Sequence, residues 1–247
     1  MPPPLAQHCT HRALLRIHGR YMLEYPLQAL QQAPSMLGIA VVSAPEVLAA
    51  LPESPCVQVP EGESLVENMQ RGARALAQHQ PTHLLFITGD IPLITPEAIE
   101  HFLAASLQSG AALTYPIITR AVCETGVPTA QRSYVRIREG VFTGGNAIFT
   151  TANLLDDKQT LIQSLYSARK HPLKLAQILG WSTVWRMLTG ALTLPYLESV
   201  ATRILAAPVH AIISPDAEIG FDVDKPEDIA SVEHVFAEGR DVVISKQ

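Results

Sequence analysis

Three aspartates in two separate turns could hold a divalent cation: Asp90 in Ile87-Thr88-Gly89-Asp90-Ile91-Pro92-Leu93, and Asp222 with Asp224 in Gly220-Phe221-Asp222-Val223-Asp224-Lys225-Pro226-Glu227-Asp228. Leu84 to Ile87 is a short continuous apolar run, as in a strand covered on both faces, and Thr95-Pro96-Glu97 then opens a helix with a cap residue followed by proline. Asp90 therefore stands beyond the carboxyl end of a strand, where open α/β sheets bind ligands. The second acidic turn runs into a helix that starts near Pro226. Magnesium takes oxygen ligands and is commonly held by one or two carboxylates plus substrate phosphates, so Asp90 with Asp222 or Asp224 is the expected metal pair. Turn formation and helix capping are the competing uses of the same three acids.

A further group is Gly144, Gly145 and Asn146, inside the otherwise apolar run Val141 to Phe149. Paired glycines weaken a strand unless a backbone or a ligand must come close, which makes these three residues candidates for the substrate side of a site, with a β-bulge as the alternative.

The elements needed to position these groups alternate along the chain. A short extended piece, a turn at Gly19 and a helix to Gln32 are followed by a strand at Leu37 to Val42, a short helix from Pro45 and a strand at Cys56 to Val59. Ser64, with Glu67 three residues on, begins a helix reaching His79. After the Asp90 strand and the Pro96 to Ser109 helix come strands at 111–118 and 133–138, the glycine-containing strand, and a strand at Val209 to Ile213 before the last helix. This order predicts an α/β fold with a mainly parallel sheet and helices on both faces, a helical insertion near residues 155–205, and one domain over residues 1–247. Trp181 and Trp185, with Leu188 and Leu192 continuing the stripe, are expected to form a helix face packed on the core or a partner, and the apolar 173–205 region makes a homodimer an open possibility.

With 47% hydrophobic against 17% charged residues the chain can build a sizeable core. A net charge of -5 without a Lys/Arg block excludes a nucleic-acid surface, which leaves a small-molecule ligand. Three scattered cysteines indicate neither a disulfide framework nor zinc, and no segment reads as a signal peptide or membrane span, so the cytoplasm is the expected compartment. Arg132, Arg136 and Arg138 form either a solvated strand face or a surface for an anionic acceptor.

Taken in order, Arg12 to Leu30, Glu61-Gly62-Glu63-Ser64 to Gly72, Thr88 to Pro92, Phe142 to Asn146 and Phe221 to Asp228 resemble nucleotidyltransferases of the GT-A type, in the molybdenum-cofactor nucleotidyltransferase-like (MobA-like NTP transferase) branch. The resemblance covers nearly the whole chain. It implies transfer of a nucleoside monophosphate from a nucleoside triphosphate to a small phosphorylated or cofactor-like acceptor, with Mg2+ on Asp90, Asp222 and Asp224. It further implies catalytic roles for Arg12 and Asp90, nucleotide contacts at Arg12, Gly62, Ser64, Gly89 and Asp90, and substrate contacts at Gly144, Gly145 and Asn146.

The family opens with a strand and a loop of the type L-A-G-G-x-G-x-R-M-G, followed closely by a lysine. Here Arg12 stands at the place of that lysine, and the sequence ahead of it, Met1-Pro2-Pro3-Pro4-Leu5-Ala6-Gln7-His8-Cys9-Thr10-His11, does not resemble the strand and loop. The missing strand would lie in mid-sheet, so two apolar edges are expected to be exposed. Two explanations remain: a start written downstream of the true one, which makes this a truncated enzyme, or a catalytically silent nucleotide- or partner-binding homologue. A GT-A glycosyltransferase, for which Asp222-Val223-Asp224 would be the D-x-D motif, fits the late position of that motif less well.

Overall fold

The computed structural model describes residues 11–128, 132–157, 162 and 177–237. After a 3-10 turn at Arg12–Leu14, strands β1 (Arg16–Ile17) and β2 (Arg20–Tyr21) form a small hairpin, followed by α1 (Glu24–Gln32), β3 (Ala40–Ser43), α2 (Pro45–Ala50) and β4 (Val57–Pro60). Then come α3 (Leu65–Ala75), β5 (His83–Ile87), α4 (Pro96–Ser109), β6 (Leu113–Thr119), α5 (Arg120–Gly126), β7 (Val135–Ile137), β8 (Gly140–Gly144) and β9 (Ala147–Thr151). The remaining elements are α6 (Ala152–Asp157), α7 (Trp181–Leu188), α8 (Leu194–Leu205), β10 (Val209–Ser214) and α9 (Pro226–Ala237).

The helix starts read from the sequence carry the caps expected of them. Ser64 accepts from the Glu67 amide, and Thr95 accepts from the Ala98 amide one residue ahead of Pro96. Helix α5 has no clear periodic signature, and the Thr119 side chain caps it.

The α/β class holds, but the strand sense needs correction. The larger sheet runs β5-β9-β6-β8-β7, every pairing along that path is antiparallel, and β10 lies parallel to β6. The reason is local. The tight turn at Arg138-Glu139 makes β7 and β8 a hairpin, and Gly145-Asn146 carries that direction on from β8 into β9, which runs between β5 and β6. Strands β3 and β4 form a separate parallel pair, and β3 and β5 line the same slot, so that among the described residues the two expected bare edges are present.

One core cluster joins α1 and α4 to the sheet through Ile91, Ile94, Ile99, Phe102, Ile118 and Phe149. A second unites Leu15, Ile17, Met22 and Tyr25 with Phe221, Val223, Val232 and Val235. The second cluster matters for function because it ties the segment carrying Arg12 to the segment carrying Asp222 and Asp224. Phe221 and Val223 are 2% and 0% exposed, and burial of side chains this size stabilises by roughly 1.5–3 kcal/mol each.

The expected helical region is represented by α6, α7 and α8, while residues 158–161 and 163–176 lie outside the described residues. Of the stripe expected to pack on the core or a partner, Leu192 is buried at 4%, whereas Trp181 and Trp185 do not pack on the core. They are 63% and 69% exposed, Leu188 is 77% exposed, and Thr183 is the buried residue of α7. Helix α7 is amphipathic, but its tryptophan side faces away from the core. Among the described residues no helix is long and apolar enough to cross a membrane.

Candidate active site at two acidic turns

Strand β5 ends at Ile87, and the chain turns through Thr88 and Gly89 to present Asp90. Two backbone bonds fix this turn: the Thr88 amide donates to the Asn146 carbonyl at 3.1 Å, and the Val223 amide donates to the Asp90 carbonyl at 2.9 Å. The second bond joins the two acidic turns directly. Gly89 packs closely here: a Cβ would come within 2.8 Å of Leu23 Cδ1, so that side chain would have to shift.

The second turn is organised by Asp228, a buried acid in the first turn of α9. One of its oxygens, Oδ2, accepts from the amides of both Asp224 (2.9 Å) and Lys225 (2.8 Å). These would otherwise be orphan donors at a helix start. Asp228 therefore shapes the backbone that projects Asp222 and Asp224. Its signal was in the sequence, as an acid two residues after the helix-opening Pro226.

One carboxylate oxygen from each of Asp90, Asp222 and Asp224 falls within 4.8 Å of the others, close enough to share one ion. Two arginines balance their charge. Arg12 places Nη1 2.8 Å from Asp90 Oδ2 and 2.7 Å from Asp224 Oδ1. Arg132 pairs with the Asp222 carboxylate, donates to its backbone carbonyl at 3.0 Å and lies over the Phe221 ring, 4.5 Å from its centroid. Arg132 comes from irregular chain ahead of β7, and nothing in the local sequence pattern ties it to Asp222. Burial, together with the nearby charge of Asp222, holds the Asp224 carboxyl above its ordinary range despite Arg12.

Asp90 Oδ1 is buried and has no hydrogen-bond partner among the described residues. An unpaired carboxylate oxygen at the meeting point of three acids suits a hard cation, so the donor set fits magnesium.

Arg12, Gly89 and Asp90 line a cleft of about 520 Å³ together with His11, Ser43 and Glu61. Gly62 and Ser64 stand just beyond Glu61 and are engaged in local structure. The Gly62 amide donates to Asn68 at 2.6 Å, a Cβ on Gly62 would strike the Glu67 carboxylate, and the Ser64 hydroxyl caps α3.

Gly144, Gly145 and Asn146 form the passage from β8 to β9. Tyr115 donates to the Gly145 carbonyl at 2.6 Å, and a Cβ on Gly144 would meet that phenol at 2.5 Å. A Cβ on Gly145 would meet Pro116 at 2.7 Å. Both glycines are thus explained by the close approach of β6, and burial with the charge of Asp222 raises the Tyr115 pKa. Asn146 differs, since its Nδ2 is buried without a partner among the described residues.

Residues 7–188 match the MobA-like NTP transferase domain. No curated protein matches the chain. Among solved structures, a hypothetical transferase from Thermus thermophilus is 36% identical, with 88% of this chain and 90% of that chain covered and a TM-score of 0.77. The fold is shared with 2-C-methyl-D-erythritol 4-phosphate cytidylyltransferase from Thermus thermophilus, at 17% identity, TM-score 0.53 and coverage of 92% and 94%. It is shared too with CMP:2-keto-3-deoxy-manno-octonic acid synthetase in complex with CTP, at 13% identity, TM-score 0.57 and 92% of both chains. The match over three quarters of the sequence and the likeness to the first structure establish that the chain belongs to the MobA-like NTP transferase family.

Proposed function

We propose that this protein is a nucleotidyltransferase that moves a nucleoside monophosphate from a nucleoside triphosphate to a small phosphorylated or cofactor-like acceptor, with magnesium as its cation. The observation carrying this reading is the convergence of Asp90, Asp222 and Asp224 within 4.8 Å at the mouth of a cleft that also holds Arg12.

In the reaction an acceptor oxygen attacks the α-phosphorus. The bond from that phosphorus to the bridging oxygen breaks, and pyrophosphate leaves with the bonding pair. Such a transfer needs positioned charge more than a protein nucleophile. Asp90, Asp222 and Asp224 would hold magnesium, which when bound would supply charge neutralisation for the phosphates. Arg12 offsets charge on the leaving pyrophosphate, for which its guanidinium must exchange carboxylate partners for phosphate. Arg132 and Asp228 hold Asp222 and Asp224 in place, Gly89 gives the Asp90 turn its close packing, and Gly144, Gly145 and Asn146 face the acceptor side. Gly62 and Ser64 contribute a helix start beside the nucleotide.

The test is calorimetric titration of the four common nucleoside triphosphates with magnesium, followed by pyrophosphate release in the presence of phosphorylated acceptors. Micromolar binding and turnover that both need Asp90 support the reading. Nucleotide binding without pyrophosphate release across the acceptors would favour the second reading, a silent nucleotide-binding homologue. The observation behind that alternative is that Arg12 already neutralises Asp90 and Asp224.

A further inference from the structure

Of the ten large hydrophobic side chains exposed among the described residues, four belong to the eight residues of α7. At about 100° per residue, Trp181, Trp185 and Leu188 fall within roughly 60° of one another, opposite the buried Thr183, with Met187 on the flank. The helix that carries them is well fastened. The Thr183 hydroxyl donates to the Leu179 carbonyl at 2.8 Å, the Ser182 hydroxyl meets the Tyr196 phenol of α8 at 2.8 Å, and Arg186 lies over the Tyr196 ring, 4.5 Å from its centroid. Tyr196 packs in turn on the cluster of Ile137, Phe142 and Leu192. The tryptophans thus stand on a platform tied to β7 and β8.

Charge, area and spacing decide what covers this face. The single charged residue of α7, Arg186, is engaged with Tyr196. The face therefore offers nothing to an acidic or basic partner and lacks the cationic flank of a lipid-binding helix. With roughly 250 Å² for a whole indole side chain, two tryptophans about two-thirds exposed present about 300 Å². Met187 and Leu188 bring the patch to roughly 600 Å², the upper end of what a monomer leaves in water. Two such patches face to face bury about 1,200 Å², the size at which specific interfaces begin.

The spacing suits a second copy of the same helix. The steps from Trp181 to Trp185 and on to Leu188 are four and three residues, the alternation of a two-helix seam. Antiparallel pairing sets Trp181 of each copy against Leu188 of the other, large against small, with the two Trp185 side chains meeting at the twofold axis. A parallel pair would crowd tryptophan on tryptophan at one end and leave the leucines short of contact at the other. Opposed helix dipoles favour the antiparallel arrangement as well.

We propose that the Trp181, Trp185 and Leu188 face of α7 is the interface of a homodimer, with its two α7 helices antiparallel and the twofold axis at Trp185. This inference stands on the surface of α7 and does not depend on the proposed reaction.

The test is sedimentation velocity on the full chain from about 1 to about 200 µM, because an interface at the small end of the range associates in the micromolar regime. Leu188→Glu should weaken dimerisation by about tenfold or more and Trp185→Glu by about 100-fold. Leu37→Glu, at a leucine equally exposed (76% against 77%) but outside α7, should leave it unchanged, and all three should keep the parent Tm within about 2 °C. Oxidation of Trp185→Cys should give a covalent dimer whose cross-linked peptide contains residue 185 twice, because a residue on a twofold axis meets its own copy. A chain that stays monomeric up to about 200 µM would overturn the proposal. So would a dimer that Leu188→Glu and Leu37→Glu affect equally, or one in which Trp181→Cys links to itself and Trp185→Cys does not. Monomeric protein that binds phosphatidylcholine vesicles through Trp185 would overturn it too, by making a lipid surface the occupant.

Discussion

Strand β5 belongs to two regions that are built very differently. At its end, the Asp90 turn bonds to Asn146 on one side and Val223 on the other, and Asp228 fixes the partner turn. Beneath lies a cluster in which Met22, Phe221, Val223 and Val232 are 2% exposed or less. Along its free edge, the same strand faces a slot with Leu85 and Ile87 turned outward. The carboxylates are thus positioned by backbone bonds and core packing from the C-terminal helix. The cation facing them, Arg12, rests on a 3-10 turn and two partly exposed ion pairs, contacts that contribute little net stability. The carboxylate side of the cleft is rigidly framed, and its Arg12 side is held by exchangeable contacts.

The harshest way to break this contrast is to empty the core under the acidic turn. Phe221→Ala should cost about 3–5 kcal/mol, read as a fall in Tm of roughly 10 °C or more. Leu107→Ala, on the slot wall at 56% exposure, should cost less than about 1 kcal/mol. Comparable losses at the two positions would mean that the slot is closed in solution and the contrast is false. Asp90→Asn tests chemistry rather than packing. It should reduce kcat/KM for pyrophosphate release by at least about 100-fold, with Tm changed by no more than about 2 °C. Retained turnover would exclude Asp90 from the reaction.

Asp228→Ala comes next. The Asp224 and Lys225 amides lose their acceptor, at a cost of about 1–2 kcal/mol, and magnesium affinity should weaken because the turn carrying Asp222 and Asp224 loosens. Asp228→Asn keeps an acceptor oxygen and should recover most of both losses. If it does not, the charge of Asp228 rather than its capping is what the turn requires.

The acidic turns were legible in the sequence because strand, turn and helix cap are neighbours in the chain. Ser64 and Thr95 announced their helices for the same reason. What depends on distant contacts was hidden. The glycines at 144 and 145 were marked as unusual, but their cause, Tyr115 and Pro116 pressing from β6, lies some 30 residues away. The sense of β9 is set by a hairpin turn whose consequence appears only when β5 and β6 pair with it. Arg132 was grouped with Arg136 and Arg138 as a strand face, but it lies ahead of β7 and pairs with Asp222, 90 residues off, a contact that local pattern does not carry. For α7 the amphipathic pattern was real, and the side facing the core was a tertiary outcome.

The smallest expected effect addresses the weakest part of the contrast, the hold of Arg12. Its Nη1 stands between Asp90 and Asp224, two of the three acids that would bind a cation, so ion and guanidinium compete for the same oxygens. Removing the arginine therefore has opposite effects on the two ligands. In Arg12→Gln, Mn2+ titrated without nucleotide should bind about three- to fivefold more tightly, the loss of a competitor worth somewhat under 1 kcal/mol. Nucleoside triphosphate titrated with magnesium should bind more weakly, because under the proposed reaction the cation that would meet the phosphates is gone. The paired signs are the informative result. Weaker binding of both ligands would mean that Arg12 frames the carboxylates rather than competing for them, and the Arg12 side would then be as firmly built as the carboxylate side.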